Sequence, residues 1–172
     1  MNNNFETCFA LILAHEGGYV DHPRDPGGRT NLGVTQHVWE EWLGRPVSEK
    51  EMRALTPMMV KPLYKRKYWD ACRADDLVAG VDYAVFDVAV NSGPGRAIKF
   101  LQSCVDVTVD GGFGPATLAA VKKAEENPKR LIELYCAKRL EFLQSLRTFE
   151  TFGKGWSRRV QEVKDKALKM LG

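Results

Sequence analysis

The chain has 172 residues, 44% of them hydrophobic and 27% charged, with a formal net charge of +3. That is enough for one sizeable core and too ordinary for a disordered or fibrous protein. Its longest apolar stretch, Phe9 to Ala14, falls far short of the roughly 20 residues that cross a bilayer, which argues against a membrane span.

The start, Met1-Asn2-Asn3-Asn4, has no basic segment of the secretory kind, so synthesis in the cytoplasm without a signal peptide is expected. Next, Phe5, Cys8, Phe9, Ile12 and Glu16 fall on one stripe of a helix that Asn3 or Asn4 can cap and Gly17-Gly18 ends. The stripe thus finishes on a carboxylate. From Tyr19 to Asn31 the chain is rich in Gly, Pro and Asp, the composition of a loop or small irregular hairpin.

Thr35 can cap a short helix carrying Val38, Trp39 and Trp42 and stopped by Gly44; Ser48-Glu49-Lys50-Glu51 is a capping-box pattern. Thr56-Pro57 opens a helix running toward Trp69, which Pro62 should bend or delay. Residues 81–90 are apolar on nearly every side, as in a buried central helix, and Asn91-Ser92-Gly93-Pro94-Gly95 breaks it. Further helices are expected over about 97–104, from Pro115, after Asn127-Pro128, and after Gly155. The fold class is therefore all-α, or nearly so.

Residues 122–172 hold 13 Lys/Arg against 7 Asp/Glu. A basic C-terminal part favours an anionic polymer, and both nucleic acid and bacterial cell wall qualify. Because those Lys and Arg alternate with Glu along amphipathic patterns, they read as solvated helix faces, and no nucleic-acid partner is expected. Cys8, Cys72, Cys104 and Cys136 are far apart in sequence and form no metal-finger spacing, so they read as buried free thiols. His15, His22, His37, Asp21 and Asp25 crowd the first third but include no His-Glu-x-x-His ligand pattern. No metal and no cofactor are expected.

A carboxylate on the apolar stripe of a helix is partly desolvated, which favours the protonated form a general acid needs. Asp25 lies in a polar Asp-Pro-Gly-Gly turn where it should stay ionised. An acid in an apolar setting paired with an ionised carboxylate suits glycoside hydrolysis, with Thr30 or Asn31 available to orient a water. Sugar rings stack on flat aromatic faces, for which Tyr19, Trp39, Trp42, Tyr68 and Trp69 are candidates. Tyr19, beside Glu16, and Trp69, in a polar run, are preferred. Asn91 can donate to substrate or cap the buried helix.

The run His15-Glu16-Gly17-Gly18-Tyr19-Val20-Asp21-His22-Pro23-Arg24-Asp25-Pro26-Gly27-Gly28-Arg29-Thr30-Asn31-Leu32-Gly33-Val34-Thr35 closely resembles the N-terminal signature of glycoside hydrolase family 108. That family comprises N-acetylmuramidases, including phage and prophage endolysins and proteins described as secretion activators. The resemblance implies a lysozyme-like helical fold and Glu16, the acid of Glu-Gly-Gly-Tyr, as catalytic residue. The wider phage lysozyme group spaces its Glu, Asp and Thr by eight and five residues. Glu16 and Asp25 keep the first gap, whereas Thr30 falls one residue early and Asn31 takes the expected place.

Residues Val109-Asp110-Gly111-Gly112-Phe113-Gly114-Pro115-Ala116-Thr117-Leu118-Ala119-Ala120-Val121 resemble the core motif of small helical peptidoglycan-binding modules. As bare residues they are equally a Gly-rich turn, a Pro at the first helical position and an Ala/Leu helix. The expectation is a compact two-lobed helical domain, with 1–95 the catalytic muramidase lobe and 96–172 a peptidoglycan-binding-like lobe packed on it. The resemblance implies cleavage between N-acetylmuramic acid and N-acetylglucosamine with Glu16 catalytic; the chemistry and spacing of the other residues add Asp25 and Thr30 as its catalytic partners and Tyr19, Asn31, Trp69 and Asn91 as substrate-binding candidates. A monomer acting on the wall after release through a holin or exporter is expected. The rival readings are a lytic transglycosylase, a non-enzymatic peptidoglycan-binding protein and a zinc hydrolase.

Overall fold

The computed structural model describes residues 4–21 and 28–172. They form two compact units, Phe5–Arg66 and a helical one that gathers Asn4 with Lys67–Gly172.

In the N-terminal unit, helix α1 (Phe5–His15) buries the stripe Phe5, Cys8, Phe9 and Ile12. Phe9 stacks on Phe5 and meets the Tyr64 ring edge-on at 5.3 Å, which packs α1 against α4 (Pro57–Tyr64). Strands β1 (Val20–Asp21), β2 (Arg29–Asn31) and β3 (Val34–Thr35) form a three-stranded antiparallel sheet. Thr30 pairs with Val20 on one side and Thr35 on the other. The β2–β3 connection is Leu32-Gly33, with φ of 52° and 76°. Two successive left-handed residues are what lets a two-residue turn follow the twist of its strands.

Three hydroxyls start the next helices. Thr35 Oγ1 accepts from Val38 N (3.2 Å) at α2 (Gln36–Leu43), which Gly44 ends at φ 74°. Ser48 Oγ accepts from Glu51 N (3.1 Å) at α3 (Glu49–Arg53), the N-cap half of the expected capping box. Thr56 Oγ1 accepts from Met59 N (3.3 Å) at α4. Pro62 lies inside α4 and does not delay it, since the helix starts at Pro57; the chain runs on through a π-helical segment, Lys65–Asp70.

The helical unit is built around α5 (Val81–Ser92), buried continuously from Val81 to Ala89. Packed on it are α6 (Pro94–Cys104), α8 (Pro128–Gln144) and α9 (Phe149–Lys169), with α7 (Pro115–Ala124) between α6 and α8 in sequence. The break after α5 is narrower than expected: Gly93 alone, at φ 90°, separates it from α6, because Pro94 already supplies a first helical residue. Helix α9 also starts earlier than expected. It runs through Gly153 and Gly155, and a Cβ at Gly153 would lie 2.9 Å from the Phe149 ring, so this glycine makes room for the aromatic one turn back.

One side chain organises the Asp-Gly-Gly turn before α7. Gln102 Nε2 donates to Asp110 Oδ1, Gly112 O and Thr117 Oγ1, and its Oε1 accepts from the backbone of Asp110 and Gly111. Cys8, Cys72, Cys104 and Cys136 are free thiols, Cys104 half-buried and the others buried. The fold class is as expected, mostly helical, and the anticipated hairpin is the small sheet. No helix among the described residues is long and apolar enough to cross a membrane.

Candidate active site

Glu16 follows the last residue of α1, its N–H donating to Leu13 O (3.1 Å), and its side chain is half-buried. The carboxyl lies across the bare face of Gly33 in the β2–β3 turn. A Cβ at that glycine would come within 2.8 Å of Glu16 Cδ and Oε2 and within 2.5 Å of Tyr64 Oη. Tyr64 is buried and its hydroxyl donates to Leu32 O (2.8 Å). The turn is therefore fixed from below by a tyrosine of α4 and covered by the carboxylate that follows α1. Gly33 answers two demands together, a left-handed φ and a contact too close for any side chain.

Thr30, in the central strand, is partly exposed; Asn31, its neighbour, faces the other side of the sheet. Asn31 is 6% exposed, and its Nδ2 donates to Met52 O (2.8 Å) and Arg53 O (3.4 Å), tying the sheet to the end of α3. The amide nitrogen of Asn31, expected to face substrate, is thus committed to the backbone. Asp25 lies outside the described residues, as does His22.

Tyr19 is half-buried, its hydroxyl donating to Glu49 Oε1 (3.5 Å), and the Arg53 guanidinium sits 4.1 Å over its ring. One ring face is thus taken. Arg53 also bonds Glu49 (2.9 Å), and that hydrogen bond holds the Glu49 carboxyl below the usual carboxylate range. Trp69, the other aromatic expected to stack on sugar, is 0% exposed; its indole N–H donates to Asp75 Oδ1 (2.8 Å) and Phe86 meets it edge-on. Asn91 is exposed at the end of α5, where its Nδ2 donates to Asp87 Oδ2 (3.3 Å).

Glu16, Tyr19, Thr30 and Asn31 thus belong to the N-terminal unit, Trp69 and Asn91 to the helical one. The sequence reading missed Gly33 and Tyr64, whose roles depend on a contact between segments distant in the chain. It also missed Asp87, although an Asp in a helix apolar all round requires a buried partner. Among the described residues no group of three His, Cys, Asp or Glu side chains could hold a metal ion.

A mostly helical chain whose first helix delivers a carboxylate onto a small antiparallel sheet has the lysozyme-like architecture. The chain belongs to the glycosyl hydrolase 108 family, which residues 9–93 match; residues 96–161 match a predicted peptidoglycan domain. It is 46% identical to the protein in "Structure of Brucella abortus SagA", with a TM-score of 0.87 over 99% of this chain and 97% of that one. No curated protein matches. The two matches make the chain a glycoside hydrolase with peptidoglycan as its substrate. Helix α5 lies within the first match, yet it is the central helix of the second compact unit.

Proposed function

We propose that the enzyme is an N-acetylmuramidase that hydrolyses the bond between N-acetylmuramic acid and N-acetylglucosamine, with Glu16 as the general acid. The observation that carries this reading is the setting of Glu16: a half-buried carboxyl at the end of an apolar helix stripe, held over a glycine turn. A carboxylic acid placed so can protonate the leaving glycosidic oxygen as the sugar gains oxocarbenium character. Asp25, on the strength of the resemblance, supplies the second carboxylate, which stays ionised and assists the water or the developing cation. Thr30 orients that water in preference to Asn31, whose amide is engaged elsewhere. Tyr19 offers its remaining ring face to the glycan, and Asn91 a hydrogen bond. We assign 1–95 to catalysis and 96–172 to holding the wall, in a monomer that reaches its substrate through a holin or exporter.

Glu16→Gln is the test. Turbidity loss of purified cell walls should slow about 10²- to 10⁴-fold, the usual contribution of a positioned acid, while the unfolding temperature stays unchanged. Wild-type lysis by Glu16→Gln would refute the assignment. Mass spectrometry of the wild-type fragments should show reducing muramic ends; anhydromuramic ends would replace hydrolysis by transglycosylation.

A further inference from the structure

A cavity of about 420 Å³ opens in the helical unit among α5, α8 and α9, with Asn91, Arg139, Phe142, Leu146, Trp156 and Arg159 in its lining. Beneath it lies Asp87, 0% exposed, which accepts from Arg139 Nη1 (2.5 Å), Arg159 Nη2 (2.6 Å), Arg159 Nε (3.2 Å) and Asn91 Nδ2 (3.3 Å). Two guanidinium groups share one carboxylate, so the cluster keeps one positive charge. No lining residue is Asp or Glu.

The two arginine side chains are only 7% and 19% exposed. Each guanidinium has five N–H donors, and among the described residues the only hydrogen-bond acceptor either one finds is Asp87. The cavity therefore offers surplus donors and surplus positive charge in a largely desolvated place, beside an apolar wall of Phe142, Leu143, Leu146 and Trp156. Sugar hydroxyls require donors and acceptors together, and the strongest acceptor here is already saturated. A carboxylate only accepts, and a guanidinium fork fits it.

We propose that this cavity binds a carboxylate bearing small apolar groups, namely the terminal carboxylate of the peptides that branch from peptidoglycan. The proposal rests on peptidoglycan being the substrate, but not on the bond cleaved or on Glu16. The same chemistry exists in the lactyl carboxylate of peptide-free muramic acid, and the test separates the two sources.

The intact chain is titrated calorimetrically with a short peptide ending in D-alanine, with that peptide amidated at its C-terminus, and with N-acetylmuramic acid. The free carboxylate peptide should bind, the amide at least about 10-fold more weakly, and N-acetylmuramic acid no better than the amide. Arg159→Gln should weaken peptide binding, although it also disturbs the Asp87 cluster. Gly155→Leu avoids that problem: Gly155 lines the cavity within a helix, and a Cβ there meets no atom within 4 Å. Leucine also suits a helix better than glycine, so this variant should keep the wild-type unfolding temperature and lose peptide binding. Equal binding of amide and carboxylate, preference for N-acetylmuramic acid, or undiminished binding by Gly155→Leu would each overturn the proposal. The Glu16→Gln protein should bind the peptide like wild type, so failure of the acid assignment and failure of this one are read separately.

Discussion

The two units satisfy their polar groups in different ways. In Phe5–Arg66 the charged side chains pair at the surface, as in Arg45 with Glu51, Arg53 with Glu49 and Lys61 with Glu6, and α2, α3 and α4 start on Thr and Ser caps. Of its described residues only Asn31 is a buried polar one, whereas the helical unit buries Asp82, Asp87, Gln102, Thr117 and Arg139. Exposed ion pairs contribute little and can change freely. Buried ones fix which helix faces meet, because any other packing strands a charge. The unit carrying the proposed acid thus rests on local signals, and the helical unit on a few polar contacts between distant segments.

Removing Asp87 should have the largest effect. In Asp87→Ala, Arg139 and Arg159 lose their shared acceptor inside the helical unit; breaking a buried pair from one side costs about 3–5 kcal/mol. Arg45→Ala, which removes an exposed ion pair with Glu51, should cost less than about 1 kcal/mol. Urea unfolding of both variants measures the contrast, and equal losses would abolish it.

Asp82 should give a smaller, pH-dependent effect. Burial pushes its carboxyl up to about 6, above the ordinary 3.8, against hydrogen bonds from Asn4, the Tyr83 backbone and the Gly80 backbone. Between those two values the folded chain holds a proton that the unfolded chain has released. Stability from this group is therefore complete below 3.8 and is lost as pH rises through 6, by about 3 kcal/mol at 1.36 kcal/mol per unit. Asp82→Asn removes the titration while keeping an oxygen acceptor. Its unfolding free energy, compared with wild type from pH 3 to pH 7, should gain on wild type across that window; parallel curves would show that Asp82 does not titrate there.

Legibility in the sequence follows the same division. Thr35, Ser48, Thr56 and Asn127 were readable as helix starts because a cap involves residues only three apart, and each accepts the expected backbone N–H. The continuous apolar run identified α5 as central. What escaped required contact across the chain: Trp69 looked available in a polar run, yet Phe86 and Asp75 enclose it. The Asp110-Gly111-Gly112 motif was readable as a turn, but not the role of Gln102, which holds it through its side-chain amide. The place of Glu16 was legible because the helix stripe ends there, while its proposed role rests on the family resemblance. Its support by Gly33 and Tyr64 was not, since nothing in the pattern joins those positions.

Gly33→Ala should cost less stability than the change at Asp87 and separates fold from function in the N-terminal unit. At φ 76° an alanine costs about 1–2 kcal/mol. The new Cβ would also lie 2.5 Å from Tyr64 Oη and 2.8 Å from the Glu16 carboxyl. The Glu16 side chain ends in that contact and can swing away, whereas the buried Tyr64 hydroxyl, bonded to Leu32 O, must shift with the turn; both movements displace the carboxyl. A catalytic group misplaced by about 1 Å can slow its reaction about 10²-fold. Gly33→Ala should therefore unfold below wild type, yet fold, and clear cell walls at least about 10-fold more slowly than Gly44→Ala. Gly44→Ala provides the control, because Gly44 shares the left-handed φ but a Cβ there meets nothing within 4 Å. If both variants cleared walls equally well, the turn beneath Glu16 would be a folding feature only. A loss confined to Gly33→Ala would make that turn a positioning element for the acid, a demand for precision that backbone strain alone does not explain.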